Sequence, residues 1–245
     1  AALKALTSGR AGLSRYHFAG SYHTLVLPLT NELKGVPSFP AQDCGLKIRR
    51  ATHADVAEIV GFVRTQGAQR QFFPCYDSGD LFNCRGSFRG LEPADLLLAS
   101  RDGVLVGMLG CWQQSSFRQI VVENYDASFN WARPLYNGWA GWRGHAKLPA
   151  PGAQLRILFA TLMVVQNDDA AVFTALLDEA VNTKAAGDQD YLLVGLHERD
   201  PLLAVAQKFS AAQYLSRMYY VCWPDGDALR AQLDDRPPYL ELGSL

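Results

Sequence analysis

The chain has 245 residues, 49% hydrophobic and 19% charged, enough to bury a sizeable core as one or two domains. Lys+Arg 23 against Asp+Glu 24 gives a formal net charge of -1, which excludes a global basic field of the kind that holds nucleic acid or an anionic membrane surface. The longest nearly apolar run, Ile157 to Val165, is far short of the roughly 20 residues of a membrane-spanning helix, so no membrane partner is expected.

The sequence begins at Ala1-Ala2-Leu3 with neither a signal peptide nor a native start in view, and residues upstream are expected. The segment Thr30 to Gly45 collects Pro37, Pro40, Gly35 and Gly45 without periodicity and reads as a linker. This divides the chain into an N-terminal segment (1–45), a main domain (46–225) and a C-terminal tail (226–245) that reads as irregular around Arg236-Pro237-Pro238-Tyr239.

Within the main domain, Leu46 to Ala51 alternates as a strand does, and Thr52-His53-Ala54-Asp55 offers a capping box. The apolar positions Val56, Ile59, Val60 and Val63 then predict a helix that stops at Gly67. Asp95 to Ser100 and Val104 to Gly110, joined by Arg101-Asp102-Gly103, predict a β-hairpin. From Phe117 to Trp142 the pattern reads as helical and aromatic, forming an insertion at about 115–152 that ends in Leu148-Pro149-Ala150-Pro151-Gly152. Leu155 to Val165 predicts a buried strand, and Gln166-Asn167-Asp168-Asp169 supplies caps for a helix through Lys184. Tyr191 to Leu196 predicts another strand, Asp200-Pro201 opens a helix to about Phe209, and Met218 to Trp223 closes with a strand.

Five cysteines (Cys44, Cys75, Cys84, Cys111, Cys222) without a Cys-x-x-Cys pair argue against a disulfide framework and a cysteine zinc site, and point to a reducing, cytoplasmic compartment. His17, His23, His53, His145 and His197 show neither His-x-x-x-His nor His-Glu-x-x-His spacing, so no metal is expected. His17 and His23 are expected at the surface. No Gly-x-Ser-x-Gly elbow supports a hydrolase.

This element order, headed by Ile48-Arg49-Arg50-Ala51-Thr52 and a helix from Ala54, resembles the GCN5-related N-acetyltransferase (GNAT) superfamily over about three quarters of the chain. The resemblance implies an α+β fold with a mixed, mostly antiparallel central sheet flanked by helices. It also implies acetyl-CoA as cosubstrate and direct attack by a small-molecule or peptide amine acceptor in a ternary complex. The backbone of Leu162, Met163, Val164 and Val165 would then polarise the thioester, and Gln166, Ala170, Ala171 and Val172 would meet the coenzyme diphosphate at a helix N-terminus.

The family's loop reads Arg/Gln-x-x-Gly-x-Gly/Ala. Here Gln166 and Ala171 match in one register while Asp169 replaces the central glycine; in the other, Asp168 replaces the basic residue, Ala171 the first glycine and Phe173 the last. Two carboxylates thus sit where a diphosphate needs donors, each like-charge contact costing on the order of 4 kcal/mol before screening. Asn167, Asp168 and Asp169 read better as helix caps than as a phosphate site. His197-Glu198, ending the strand before the last helix, suits deprotonation of an amine or is simply a solvated strand end. Tyr214 is the nearest substitute for the family's tyrosine acid.

The N-terminal segment suggests a helix over Ala2 to Leu6 and a strand over Ser21 to Leu27, an order similar to Leu202–Phe209 followed by Tyr219–Trp223. Residues 1–29 therefore look like the end of a preceding GNAT-like domain, and the chain like the C-terminal half of a tandem. Two functions stay open: an acyl-CoA-dependent N-acyltransferase whose aromatic insertion covers the acceptor, or a degenerate domain serving as an interaction surface for a partner GNAT-like domain or a second copy. An open cleft beside Val165 favours the first and a filled one the second.

Overall fold

The computed structural model describes residues 7–8, 13–29, 45–82, 86–126, 132–139, 148–182 and 189–245. Seven strands form one sheet: β1 (Arg15–Pro28), β2 (Leu46–Arg50), β3 (Leu96–Arg101), β4 (Val104–Gln113), β5 (Ile157–Val165), β6 (Tyr191–His197) and β7 (Ala212–Cys222). Their spatial order is β2-β3-β4-β5-β6-β1-β7, antiparallel throughout except for the parallel pair β5–β6. Three helices pack on it: α1 (Val56–Gly67), α2 (Ala170–Asn182) and α3 (Leu203–Phe209).

Local signals are obeyed. Asp55 accepts from the Thr52 N–H at 2.7 Å, Arg49 clamps the same carboxylate at 2.7 and 2.8 Å, and α1 follows. It ends at Gly67, where any Cβ would strike the Phe73 ring. Asp102 (φ 52°) and Gly103 (φ 81°) both adopt the left-handed conformations of a two-residue hairpin turn between β3 and β4.

Strand alternation feeds two cores. Leu97, Ala99, Val106, Leu158 and Ala160 face α2 and α3, while Leu96, Leu98, Met108 and Phe159 face Ile59 and Val63 of α1. Covered on both sides, the central strands read as continuous apolar runs, which is why period-2 alternation is absent from them.

Two expectations about extent change. The strand expected over Ser21–Leu27 is twice as long, and as β1 it lies between β6 and β7, so residues 15–28 complete this sheet; Leu25 and Leu27 are fully buried in its core. The final strand starts at Ala212, six residues before the expected Met218. The helix expected over Ala2–Leu6 and the linker from Thr30 fall almost entirely outside the described residues.

The insertion is less helical than its aromatic spacing suggests. Among the described residues only 132–139 is helical, because β-branched Val121 and Val122 extend and pair with the segment around Ala153. Tyr136 and Trp139 stack at 5.8 Å between centroids on its exposed face, and Phe129, Trp131 and Trp142 lie outside the described residues.

The C-terminal tail is irregular as expected, but it is not a solvated appendage: Tyr22 donates to the Leu240 carbonyl, and Glu241 and Gly243 are buried. No helix among the described residues is long and apolar enough to cross a membrane.

Candidate functional site

Strands β5 and β6 pair only at Ile157–Phe159 with Tyr191–Leu193 and then separate. The cause lies in β5. Its register against β4 shifts between Met108 and Gly110, and Leu162 within the shift holds φ 49°. A bulge of this kind bends and twists its strand, turning β5 away while β6 stays paired to β1. The result is a wedge opening toward the β5–α2 and β6–α3 loops, with the backbone of Leu162 to Val165 along one side.

At the mouth, the chain passes through Asn167 (φ 54°) and Asp168 (φ 52°), both left-handed, so Asn and Asp supply the conformations for which a glycine loop is normally used. Asp169 then caps α2, its Oδ1 accepting from the N–H of Ala171 at 2.9 Å and of Val172 at 3.3 Å. Asp168 is not a cap. It takes Arg70 Nη2 at 2.5 Å, while Arg70 Nε reaches Asp200 at 3.1 Å and so ties the two loops together across the mouth. Burial opposes the Arg70 charge, yet hydrogen bonds and charge from Asp168 and Asp200 hold its pKa above the ordinary value. Arg101 sits 3.4 Å from Asp169.

The C-terminal segment fills the wedge from within. Gln71 exchanges backbone hydrogen bonds with Pro237 and Tyr239 (3.0 and 2.8 Å), which steers the segment inward. Glu241 Oε2 then accepts from the Leu162 N–H at 3.1 Å and from the Tyr239 hydroxyl at 2.5 Å. Leu242 packs at Gly195 of β6, where a Cβ would lie 2.9 Å from Leu242 Cβ, and Gln114 donates to the Gly243 carbonyl at 2.7 Å. Burial pushes the Glu241 carboxyl above the ordinary value although the Tyr239 and Leu162 hydrogen bonds pull the other way. The Tyr22 and Tyr76 hydroxyls are raised too, by burial first and then by Glu241.

The residues expected to carry chemistry are not gathered here. His197 is 1% exposed; its Nε2 meets the Ala19 carbonyl at 2.8 Å and its Nδ1 accepts from the Arg199 N–H at 3.1 Å. That pattern is the neutral tautomer protonated at Nε2, and burial lowers its pKa. No ring nitrogen is left to take a proton from an amine. Glu198 is exposed, its N–H bonded to the Ser21 carbonyl. Tyr214 is 67% exposed on β7, opposite Thr24, with β1 between it and β6.

Met163 to Val165 line the wedge edge, and Leu162 does so with its N–H already taken; Gln166 opens the loop, and Ala170, Ala171 and Val172 begin α2. Phe173 belongs to the α2-side core. Arg70, Tyr239 and Glu241 carry the site and were not singled out from sequence; the alternation of apolar and polar residues in Tyr239-Leu240-Glu241-Leu242 is the one signal that this tail packs.

No family model and no curated protein matches the chain. Solved structures do. A glucosamine N-acetyltransferase region within a fungal multi-domain GH3 β-N-acetylglucosaminidase matches 90% of this chain and 22% of its own at 11% identity and TM-score 0.51. The GCN5-related N-acetyltransferase from Sphaerobacter thermophilus matches 85% of this chain and 58% of its own at 12% identity and TM-score 0.46. A putative GNAT-family acetyltransferase from Novosphingobium aromaticivorans matches 84% and 66% at 12% and 0.40. The fungal match, joined to the sheet order and the parted β5–β6 pair, decides the fold.

The chain has the GNAT fold. The chain spans 22% and 58% of the first two proteins named, and at these identities the likeness concerns architecture alone. In that architecture β5 takes the place of the fourth strand, and residues 166–169 follow it at the mouth of the wedge. The residues present do not fit a coenzyme diphosphate: the Ala171 and Val172 amides of α2 are taken by Asp169, and the nearby Arg70 cation is taken by Asp168 and Asp200.

Proposed function

We propose that this chain is a GNAT-fold domain that performs no acyl transfer and serves as an interaction or regulatory module. The observation that carries this reading is the double self-occupation of the wedge, Glu241 on the Leu162 N–H and Asp169 on the first amides of α2. A ligand would have to displace two carboxylates to reach the backbone donors on which catalysis in this fold relies. The competing reading, transfer from acetyl-CoA to an amine acceptor, draws on the preserved parting of β5 and β6.

Calorimetric titration with acetyl-CoA separates them. The unmodified chain is expected to show no micromolar binding, and the Asp168→Gly/Asp169→Gly variant none either. Micromolar binding by the unmodified chain overturns the proposal and restores the transferase reading.

The surface that supports an interaction role is β7. It is an eleven-residue edge strand whose residues Ala212 to Arg217 are exposed on both faces, including Tyr214 and Leu215 at 67% and 63%. Long, uncovered, partly apolar edges are templates for strand pairing, and a two-fold axis beside β7 would pair it antiparallel with a second copy. Light scattering at the highest soluble concentration should report a dimer that Leu215→Lys converts to monomer. A monomeric unmodified chain removes the second copy as partner. Unpaired thiols at Cys75, Cys111 and Cys222 support cytoplasmic residence.

A further inference from the structure

Beyond Tyr22, β1 leaves β6 and continues with β7 alone, so Arg15–Ser21 and Arg217–Cys222 form a two-stranded ribbon. Arg15 stands opposite Cys222, which places His17, two residues along, diagonally from Cys222 on the same face. The chain then turns through Pro224–Gly226 and lays Asp227 over both. Gly226 makes this possible, since a Cβ there would come within 2.8 Å of Cys222 Cβ.

Asp227 Oδ1 lies 3.5 Å from His17 Nε2 and 3.7 Å from Cys222 Sγ, and the three ligand atoms all fall within 4.8 Å of one another. A tetrahedral zinc ion with bonds of about 2.0 Å to N and O and 2.3 Å to S separates its ligand atoms by roughly 3.3–3.6 Å. Two of the three separations therefore already come close to the edges of such a tetrahedron, and the third needs at most a shift of about an ångström. A second observation points the same way: the His17 Nε2 atom is buried and makes no hydrogen bond, its Asp227 Oδ1 neighbour at 3.5 Å included. The second carboxylate oxygen, Oδ2, is held by Arg15, which fixes the orientation of Asp227 in the way that outer hydrogen bonds fix metal ligands.

We infer that His17, Cys222 and Asp227 form a binding site for a single divalent zinc-type ion, with water in the fourth position. Thiolate, imidazole and carboxylate together select zinc over magnesium or calcium. On binding, the Cys222 thiol releases its proton to solvent and the hydrated ion sheds all its waters but one as the three protein ligands take their place. Side-chain exposures of 29% for His17 and 34% for Asp227 leave a path for entry. Arg230, whose Nε is 3.9 Å from Asp227 Oδ1, is 42% exposed and swings outward as the ion enters. The bound ion pins residues 224–230 to the ribbon, and from there the chain runs on into the wedge. Neither the wedge nor its occupation is needed for this site, so it stands apart from the proposed function.

Cobalt(II) titration of the chelator-treated full chain tests it. The expected result is one ion per chain, a near-ultraviolet thiolate-to-cobalt band, displacement of that band by zinc, and a rise in Tm with zinc. Cys222→Ser should abolish the band, and His17→Gln and Asp227→Asn should each weaken binding tenfold or more. Absence of the band from the unmodified chain, or its persistence in Cys222→Ser with circular dichroism unchanged, overturns the assignment.

Discussion

Glu241→Gln should leave the fold at least as stable at neutral pH as the parent, whereas Glu241→Leu should cost about 2–3 kcal/mol, the penalty for stripping buried donors of their acceptor. Glutamine keeps an oxygen for the Leu162 N–H and the Tyr239 hydroxyl, so both buried donors stay satisfied. Leucine keeps none of these. The two variants also differ from the parent in pH dependence, with a definite sign. Burial raises the Glu241 pKa above its ordinary 4.5, so the folded state holds this proton more tightly than the unfolded state. Its stabilising contribution is complete below 4.5 and is lost as pH rises through the folded-state value.

The difference between Glu241→Gln and the parent should therefore be small in acid, where both side chains are neutral, and should grow in favour of glutamine toward neutrality. Urea denaturation of the two proteins across that range measures it. Taking the difference removes the opposite trend from Asp55, whose pKa is held down chiefly by its hydrogen bond to Arg49. A difference that does not change with pH would mean that Glu241 holds its proton no more tightly in the fold than in the unfolded chain, so that its burial is fully compensated.

What the sequence makes legible here is what is decided locally. Thr52 to Asp55 caps α1 with residues three apart, and Asp102-Gly103 turns a hairpin whose strands are adjacent in the chain. The GNAT order follows once such units are set in series. The position of β1 is a different matter, because Leu25 pairs with Val194 at long range and nothing in Ser21–Leu27 names its neighbours. Arg70 and Glu241 are charged residues in polar, turn-rich stretches, where a solvated reading is the natural one. Their burial comes from α1, the two loops and the tail meeting at one place. The same holds for His17, Cys222 and Asp227: no short-range metal spacing exists between residues 17 and 222, yet the ribbon register makes them neighbours.

Arg70→Met should destabilise the fold by about 3 kcal/mol, at the lower end of the cost of breaking a buried ion pair. The guanidinium is 12% exposed, Asp200 8% and Asp168 22%, so removing the cation leaves two carboxylates facing each other with little water to separate them. The loss should be repaired by removing the charges too. In Arg70→Met/Asp168→Asn/Asp200→Asn the repulsion is gone, and Asn at position 200 can still accept from the Leu202 N–H that Asp200 now caps at 2.9 Å. The triple variant is expected to recover most of the stability, and denaturation of all combinations gives the coupling directly. Hydrogen exchange adds a readout that stability alone does not. Amides of the β5–α2 and β6–α3 loops should exchange faster in Arg70→Met than in the parent, because Arg70 is the tie between them. A loss below about 0.5 kcal/mol, as for a screened surface pair, would show that the mouth is held by the backbone and not by this cluster. A large loss carries a functional consequence. A diphosphate entering the mouth would have to take Arg70 from Asp168 and Asp200, spending on the broken pair what it gained from the cation.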